Sequence, residues 1–386
     1  MGTTNTTPRE RRSAPQDAAA GTPLGRFWQR ISDGLEIQDL WRQFEAETRA
    51  SYGLYSAEVD WAAVEKKKGM GRALAVAKSF FWAMVMKLSP ARRVALLVAL
   101  ILLFLGGFRF EVSEGVHIGL RWAPLGVLIL FLLLALELAD RVTMKRDLEI
   151  AREIQRWLVP EKPPEVAGLD IAFATRPANT VAGDYYDAFF RDAERRKLLV
   201  VVADVAGKSV PAALLMATFQ ASLHSSAYEG GTLGELVERL NRFACLRSLN
   251  GLRFTTAFLA EIDVESRTMV YVNAGHNAPI LRRVTGEAER LDKGGVPFGI
   301  DAESRYEVGT ARMERHDLLL VFTDGLTEAF NKAGEEYGED RLLYMLQTVP
   351  GESASEVIRH ILENVDSYVG YTRQHDDMTF LAVRAV

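Results

Sequence analysis

The residues best placed to do chemistry are four aspartates at the ends of apolar runs: Asp184, Asp204, Asp324 and Asp376. Asp204 closes the run 198–203, Asp324 closes 318–323, and Asp376, with Asp377, opens 378–383. Continuous apolar runs of this length are the pattern of strands buried on both faces. If the first two strands run antiparallel to the last, three of the acids meet at one edge of a sheet. Carboxylates gathered in this way raise one another's pKa until a cation neutralises them. Ligands made only of oxygen select Mg²⁺ or Mn²⁺ over zinc. The chemistry expected is hydrolysis by metal-activated water.

Composition narrows the alternatives. A net charge of −5 over 386 residues gives nucleic acid no bulk attraction. The single cysteine, Cys245, rules out an internal disulfide framework and fits a reducing compartment. The six histidines are scattered without zinc-ligand spacing.

The elements that must position the acids fall in residues 161–386. Apolar alternation at 254–262, 269–272 and 279–281 predicts a meander of antiparallel strands. Helical stretches are predicted over 211–228, 232–247, 339–347 and 353–369. Segregated helices and antiparallel strands make an α+β layered domain with sheets at its centre.

The loop Asp204-Val205-Ala206-Gly207-Lys208-Ser209 ends like a phosphate-binding P-loop, but that motif needs glycine where Val202 stands. The reading that fits makes Asp204 a metal ligand and Gly207 the residue that permits a tight turn. Ser209 is then expected to cap a helix starting near Pro211. Thr323-Asp324-Gly325 repeats the order strand, acid, glycine. Taken singly, Asp-Gly is commonly a turn, and Asp376-Asp377 a solvated start to a strand. Three such acids at a shared edge call for a cation. Asp187, three residues after Asp184, is open between a strand-edge and a supporting role. His276, in Asn273-Ala274-Gly275-His276-Asn277, reads as a hydrogen-bonding turn residue and stays outside the catalytic set. Thr255 and Thr256 are either plain strand residues or hydroxyls that orient ligands.

The first half of the chain reads differently. Residues 1–25 lack large apolar side chains and are expected to be a disordered tail without a secretory signal. Residues 26–90 are amphipathic and helical, with Phe27, Trp28, Ile31, Leu35, Leu40, Trp41 and Phe44 at helical spacing and no assigned chemistry. Val94–Phe108 and Trp122–Leu136 carry no charge. Both are short of the ~20 residues that cross a bilayer, unless Arg93, Arg109 and Arg121 snorkel to the headgroups. A buried hairpin in a soluble domain is the alternative. Lys78, Lys87, Arg92 and Arg93 precede the first stretch, and Arg141, Lys145, Arg146 and Arg152 follow the second. The positive-inside rule therefore makes 91–138 a two-span transmembrane anchor with a short external loop. Both termini and the C-terminal domain then lie on the cytoplasmic side of a bacterial inner membrane. Residues 139–160 continue as a helical stalk, with Met144, Leu148, Ala151, Gln155 and Leu158 in a heptad-like stripe. That stripe serves either a homodimer through 139–158 or packing on the chain's own domain.

In this order the segments resemble the metal-dependent protein phosphatases of the phosphatase 2C superfamily, most closely the bacterial SpoIIE/RsbU-type branch. The matching blocks are 151–155 with Leu158 and Pro160, then 182–187, 204–208, 211–217, 273–277, 323–329, Tyr337-Gly338 and 376–379. The resemblance covers about residues 145 to 386. It implies packed antiparallel β-sheets flanked by α-helices, with two Mn²⁺ or Mg²⁺ ions at one edge. Asp204 would touch both ions, Asp324 and Asp376 would hold the second, and Asp184 matches the first acidic position. A backbone carbonyl near Val205 would complete the site. Ala182 and Ser209 stand where glycine is usual, and Phe298 where leucine is. Such a site lowers the pKa of bound water toward neutrality for in-line attack on phosphorus. The implied substrate is phosphoserine or phosphothreonine on a regulatory protein, an anti-sigma antagonist of the STAS type. The helix 141–158 is expected to pack on the helix from Pro211 and so control Asp204. The rival reading is a non-catalytic membrane scaffold holding the phosphoprotein in a degenerate site, which four intact acids disfavour. A metal phosphodiesterase would bring histidine ligands, and no such cluster is present.

Overall fold

The computed structural model describes residues 78–386 apart from 80, 83–84, 106, 114–115, 248–252 and 349–352. The expected tail over 1–25 and most of the amphipathic region 26–90 lie outside the described residues. The chain divides into two compact units, one ending at Ala139 and one beginning at Asp140.

In the first unit, helix α1 (Pro90–Phe104) starts where the Ser89 side chain accepts a hydrogen bond from the Arg92 amide and proline takes the first turn. Strands β1 (Gly107–Ser113) and β2 (Val116–Arg121) form an antiparallel hairpin in the segment expected to be a plain loop. Helix α2 (Ala123–Leu158) follows. A Cβ on Gly126 would lie 2.8 Å from the Ala99 carbonyl, so the small residue lets α2 approach α1 closely. The rest of both helices presents apolar side chains outward: Leu97 is 59% exposed, Phe104 87% and Phe131 64%. Among the described residues α2 alone is long and apolar enough to cross a membrane. At 15 residues α1 reaches only about 22 Å at ~1.5 Å per residue.

The second unit is a sandwich of two sheets. Its strands are β3 (Leu169–Arg176), β4 (Tyr185–Phe190), β5 (Lys197–Val205), β6 (Thr255–Asp263), β7 (Thr268–Ala274), β8 (Ile280–Arg282), β9 (Ala288–Arg290), β10 (Gly294–Gly295), β11 (Gly309–Arg312), β12 (Leu318–Phe322) and β13 (Met378–Ala385). Its further helices are α3 (Ser209–Ala227), α4 (Leu233–Cys245), the single turn α5 (Asp324–Thr327), α6 (Glu339–Thr348) and α7 (Ala354–Val369). One sheet runs β10-β7-β6-β5-β4, with β11 also on β7, and the other runs β3-β13-β12-β8-β9. The long strands pair antiparallel.

Strand parity explains the continuous apolar runs. Leu198, Val200 and Val202 join Leu319, Val321, Leu381 and Val383 in the core between the sheets. The alternate residues Leu199, Val201 and Ala203 lie under α3 and α4. Leu318, Leu320, Phe322 and Phe380 lie under α6 and α7. Both faces of each central strand are dry, so no polar residue interrupts the run. Truncating a fully buried ring such as Phe380 costs about 3–5 kcal/mol. Reciprocal caps, Thr232 with Glu235 and Ser353 with Glu356, start α4 and α7.

Candidate metal centre

Register places the acids. β4 runs antiparallel to β5 with Tyr185 opposite Ala203, so Asp184, just ahead of β4, arrives beside Asp204 at the end of β5. Phe322 of β12 pairs with Phe380 of β13, so Asp324 leaves one strand where Asp376 approaches the other. The expected meeting at the edge of one sheet is corrected by this topology. β5 belongs to one sheet and β12 and β13 to the other, so the acids gather where the ends of two packed sheets converge. Gly325 sets the approach: a Cβ there would lie 2.0 Å from the Asp377 carbonyl, so only glycine lets the turn after β12 reach the start of β13.

The electrostatics of the cluster are unbalanced. Burial holds the Asp184 carboxyl well above the usual range, and Asp204 beside it adds to the effect. Burial, then Asp324 and Asp376, push Asp204 up to about 7. Asp324 is raised by burial and by Asp376. Asp184 accepts a hydrogen bond from the buried Thr323 hydroxyl at 2.9 Å. Asp376 is turned toward Lys208, whose Nζ lies 2.9 Å away and is itself 56% exposed, so that partner is strongly screened. Among the described residues no three acids, histidines or cysteines are already drawn into a ligand cage. The donors fit a hard divalent cation by their chemistry: they are oxygens only, and burial together with acidic neighbours holds the Asp184, Asp204 and Asp324 carboxyls toward the protonated form.

Two contacts fix the loop before Asp184. Asp377 accepts hydrogen bonds from the Ala178 and Gly183 amides, both at 2.7 Å. From the other side, the Gln155 carboxamide accepts from the Ala182 amide at 3.0 Å and donates to the Ala182 carbonyl at 2.7 Å. The stalk helix therefore acts on Ala182, two residues before Asp184. The same helix also shares a cavity wall with Met216 of α3, on the side of the expected route to Asp204. The Val205 carbonyl faces the same loop, 3.3 Å from where a Gly183 Cβ would stand. Gly207 takes a positive φ of 117°, as a tight turn requires. Ser209 does not cap α3. It is the first residue of the helix with φ 61°, and Lys208 holds the cap position without a side-chain bond.

The remaining candidates separate cleanly. His276 is buried, its amide donates to Asn273 Oδ1 at 2.7 Å, and Asn273 Nδ2 donates to its carbonyl at 2.9 Å. Burial lowers its pKa to about 4, weakly opposed by the Phe322 carbonyl, so the ring is neutral near pH 7. Thr256 Oγ1 lies 3.1 Å from His276 Nδ1 and donates to the Asp204 carbonyl at 3.4 Å, a supporting role for both. Asp187 lies outside the cluster, accepting from Tyr185 Oη at 2.6 Å and paired with His224 Nε2 at 2.7 Å. The sequence analysis left Asp377 unassigned and passed over Lys208. The Asp-Asp doublet and the lysine after Gly207 were the available signals, but neither says which way a side chain turns.

The family model for stage II sporulation protein E (SpoIIE) matches residues 194–386, half of the chain, with Asp184 just ahead of the match. Protein IcfG of Synechocystis sp. is 28% identical over 279 residues, 65% of this chain and 43% of IcfG. The phosphoserine phosphatase RsbU of Bacillus subtilis is 28% identical over 242 residues, 62% of this chain and 70% of RsbU. The chain thus spans less than half the length of IcfG. The SiaA-PP2C domain of Pseudomonas aeruginosa superposes with a TM-score of 0.56 at 22% identity, over 64% of this chain and 99% of that domain. That likeness is one of fold.

Proposed function

The chain belongs to the SpoIIE family, with the PP2C-type fold of its RsbU branch, and on that premise we propose that it is a serine/threonine protein phosphatase. The observation that carries the proposal is the gathering of four acids at the convergent sheet ends, where burial and one another's charge raise the pKa of Asp184, Asp204 and Asp324. The proposed holders of two Mn²⁺ or Mg²⁺ ions are Asp184, Asp204, Asp324, Asp376 and the Val205 carbonyl. When bound, such ions supply an acidified water and offset the charge of a phosphoryl group.

The chain's own residues do the positioning. Thr323 orients Asp184 through its hydroxyl. Asp377 and Gln155 hold the loop on which Asp184 stands. Lys208 pairs with Asp376 at 2.9 Å, an exposed ion pair that would have to open for Asp376 to hold a cation. His276, neutral and hydrogen-bonded, braces the β5–β6 end without trading a proton.

RsbU is by its name a phosphoserine phosphatase, which supports phosphoserine or phosphothreonine on a regulatory protein as substrate. A small STAS-type antagonist is the partner proposed. The outward apolar side chains of α1 and α2 support an anchor in a bacterial inner membrane, with both termini and the sandwich in the cytoplasm. The two-span form requires α1 to be extended by snorkelling arginines. A homodimer through 139–158 would use the exposed Ile150, Ile154 and Trp157, spaced four and three along the stalk.

The test is phosphate release from a phosphoserine peptide by the full-length protein in detergent, with Mn²⁺ or with chelator. Mn²⁺-dependent release that Asp204→Asn and Asp324→Asn abolish is the expected result. Tight peptide binding with no release under any metal would instead establish the scaffold reading.

A further inference from the structure

A cavity of about 120 Å³ opens beside Asp184, and its polar lining includes Arg152, Gln155 and Arg156 of α2 together with Thr180. That is well beyond the space a single ordered water needs, and a phosphoryl group fits in it. Arg152 and Arg156 stand four residues apart on one helix face, where like charges repel unless an anion lies between them. Among the described residues neither guanidinium is paired with a carboxylate. The helix is not free to turn them away, because Gln155 between them is fastened to Ala182 by two hydrogen bonds. The cavity is thus lined by two exposed guanidinium forks without a carboxylate partner at one wall and by a member of the acid cluster, Asp184, at another.

We infer that Arg152 and Arg156, with the Thr180 hydroxyl, form the subsite that grips the phosphoryl oxygens of the substrate next to Asp184. The inference rests on the phosphatase reading and adds to it the groups that recognise the phosphate. Guanidinium forks match the tetrahedral oxygens two at a time, which an ammonium does not. Because both arginines ride on the stalk, the grip is complete only while α2 is seated on the loop before Asp184. Free phosphate, the product, presents the same oxygens and is held by the same groups.

The experiment is done on full-length protein in detergent, comparing wild type, Arg152→Gln/Arg156→Gln and Arg146→Gln, with folding checked by thermal melting. Arg146 lies on the same helix outside the cavity. Two readouts are taken in Mn²⁺: equilibrium binding of inorganic phosphate, which needs no turnover, and KM and kcat on a phosphoserine peptide. The expected result is phosphate binding weakened tenfold or more in the double variant and unaltered in Arg146→Gln. KM should rise in parallel, kcat should move less than threefold, and Arg152→Lys/Arg156→Lys should recover only part of the loss. Wild-type protein that binds no phosphate, or a folded double variant that binds it as well as wild type, overturns the subsite. Phosphate binding lost as expected while no peptide is hydrolysed by any form would uphold the subsite and count against the phosphatase reading alone.

Discussion

Asp184 and Asp187 stand three residues apart, each 5% exposed, and their surroundings are opposite. Asp187 has a full set of partners: Tyr185 Oη at 2.6 Å, the Ala188 amide at 2.7 Å and His224 Nε2 at 2.7 Å, with the His224 ring stacked on Phe189. Asp184 has the Thr323 and Thr379 hydroxyls, and it has acids, Asp204 first and then Asp377, beside it. A buried carboxylate ringed by donors is complete and structural. One that faces other carboxylates is incomplete, and what it lacks is positive charge. Burial alone does not separate a functional acid from a structural one; the count of donors against neighbouring acids does.

The largest expected effect tests that contrast directly. Asp204→Asn should lower Mn²⁺-dependent phosphate release by roughly a thousandfold or more, because an anionic ligand of the proposed metal site would be lost. In chelator the same variant should melt higher than wild type, since an uncompensated buried acid is gone. Asp187→Asn should do the reverse, costing about 1–3 kcal/mol of stability while leaving activity in Mn²⁺ within threefold. A folded Asp187→Asn protein with no activity would break the distinction between the two acids.

Next in size is Gln155→Ala, which frees the Ala182 amide and carbonyl. Its stability should fall by about 1–2 kcal/mol, and the Mn²⁺ concentration for half-maximal activity should rise roughly tenfold. An unshifted Mn²⁺ dependence would mean that the loop keeps Asp184 in place without the stalk.

The pH dependence sharpens the same comparison. Asp204 sits near 7 in the folded protein, above its unfolded value, so folding favours its protonated form. Asp184 and Asp324 shift in the same direction. Their stabilising contribution is therefore full below the unfolded carboxyl range and is lost as pH rises through their raised folded values, about 7 for Asp204. Melting temperature in chelator should fall from pH 5 to pH 8, and saturating Mn²⁺ should remove the decline by taking the proton's place. A chelated protein that becomes more stable over that range would contradict the clustering.

Ser209→Gly carries the smallest expected effect. Ser209 holds φ 61°, a region that costs a side chain about 1–2 kcal/mol. Glycine gives part of that back in chain entropy, so a gain of about 1 kcal/mol or less is expected in denaturant titration.

The sequence by itself determined the central strands, the four long helices of the sandwich and the places of the acids at strand ends, though it gave no sign of the β1–β2 hairpin. Runs such as 198–203 and 318–322 can be uninterrupted only if both faces are buried, and an aspartate that ends such a run stands at the rim of a core. The caps of α4 and α7 are local as well, since their hydrogen bonds span three residues. The tertiary structure alone decided that β5 and the β12–β13 pair lie in different sheets, since parity tells which residues are covered and not by what. It alone turned Asp377 onto Gly183 across 194 positions of chain and Gln155 onto Ala182 across 27. Contacts of that separation leave no periodicity to read. Whether an aspartate becomes a finished structural partner or an acid in want of a cation depends on which distant donors the fold delivers to it.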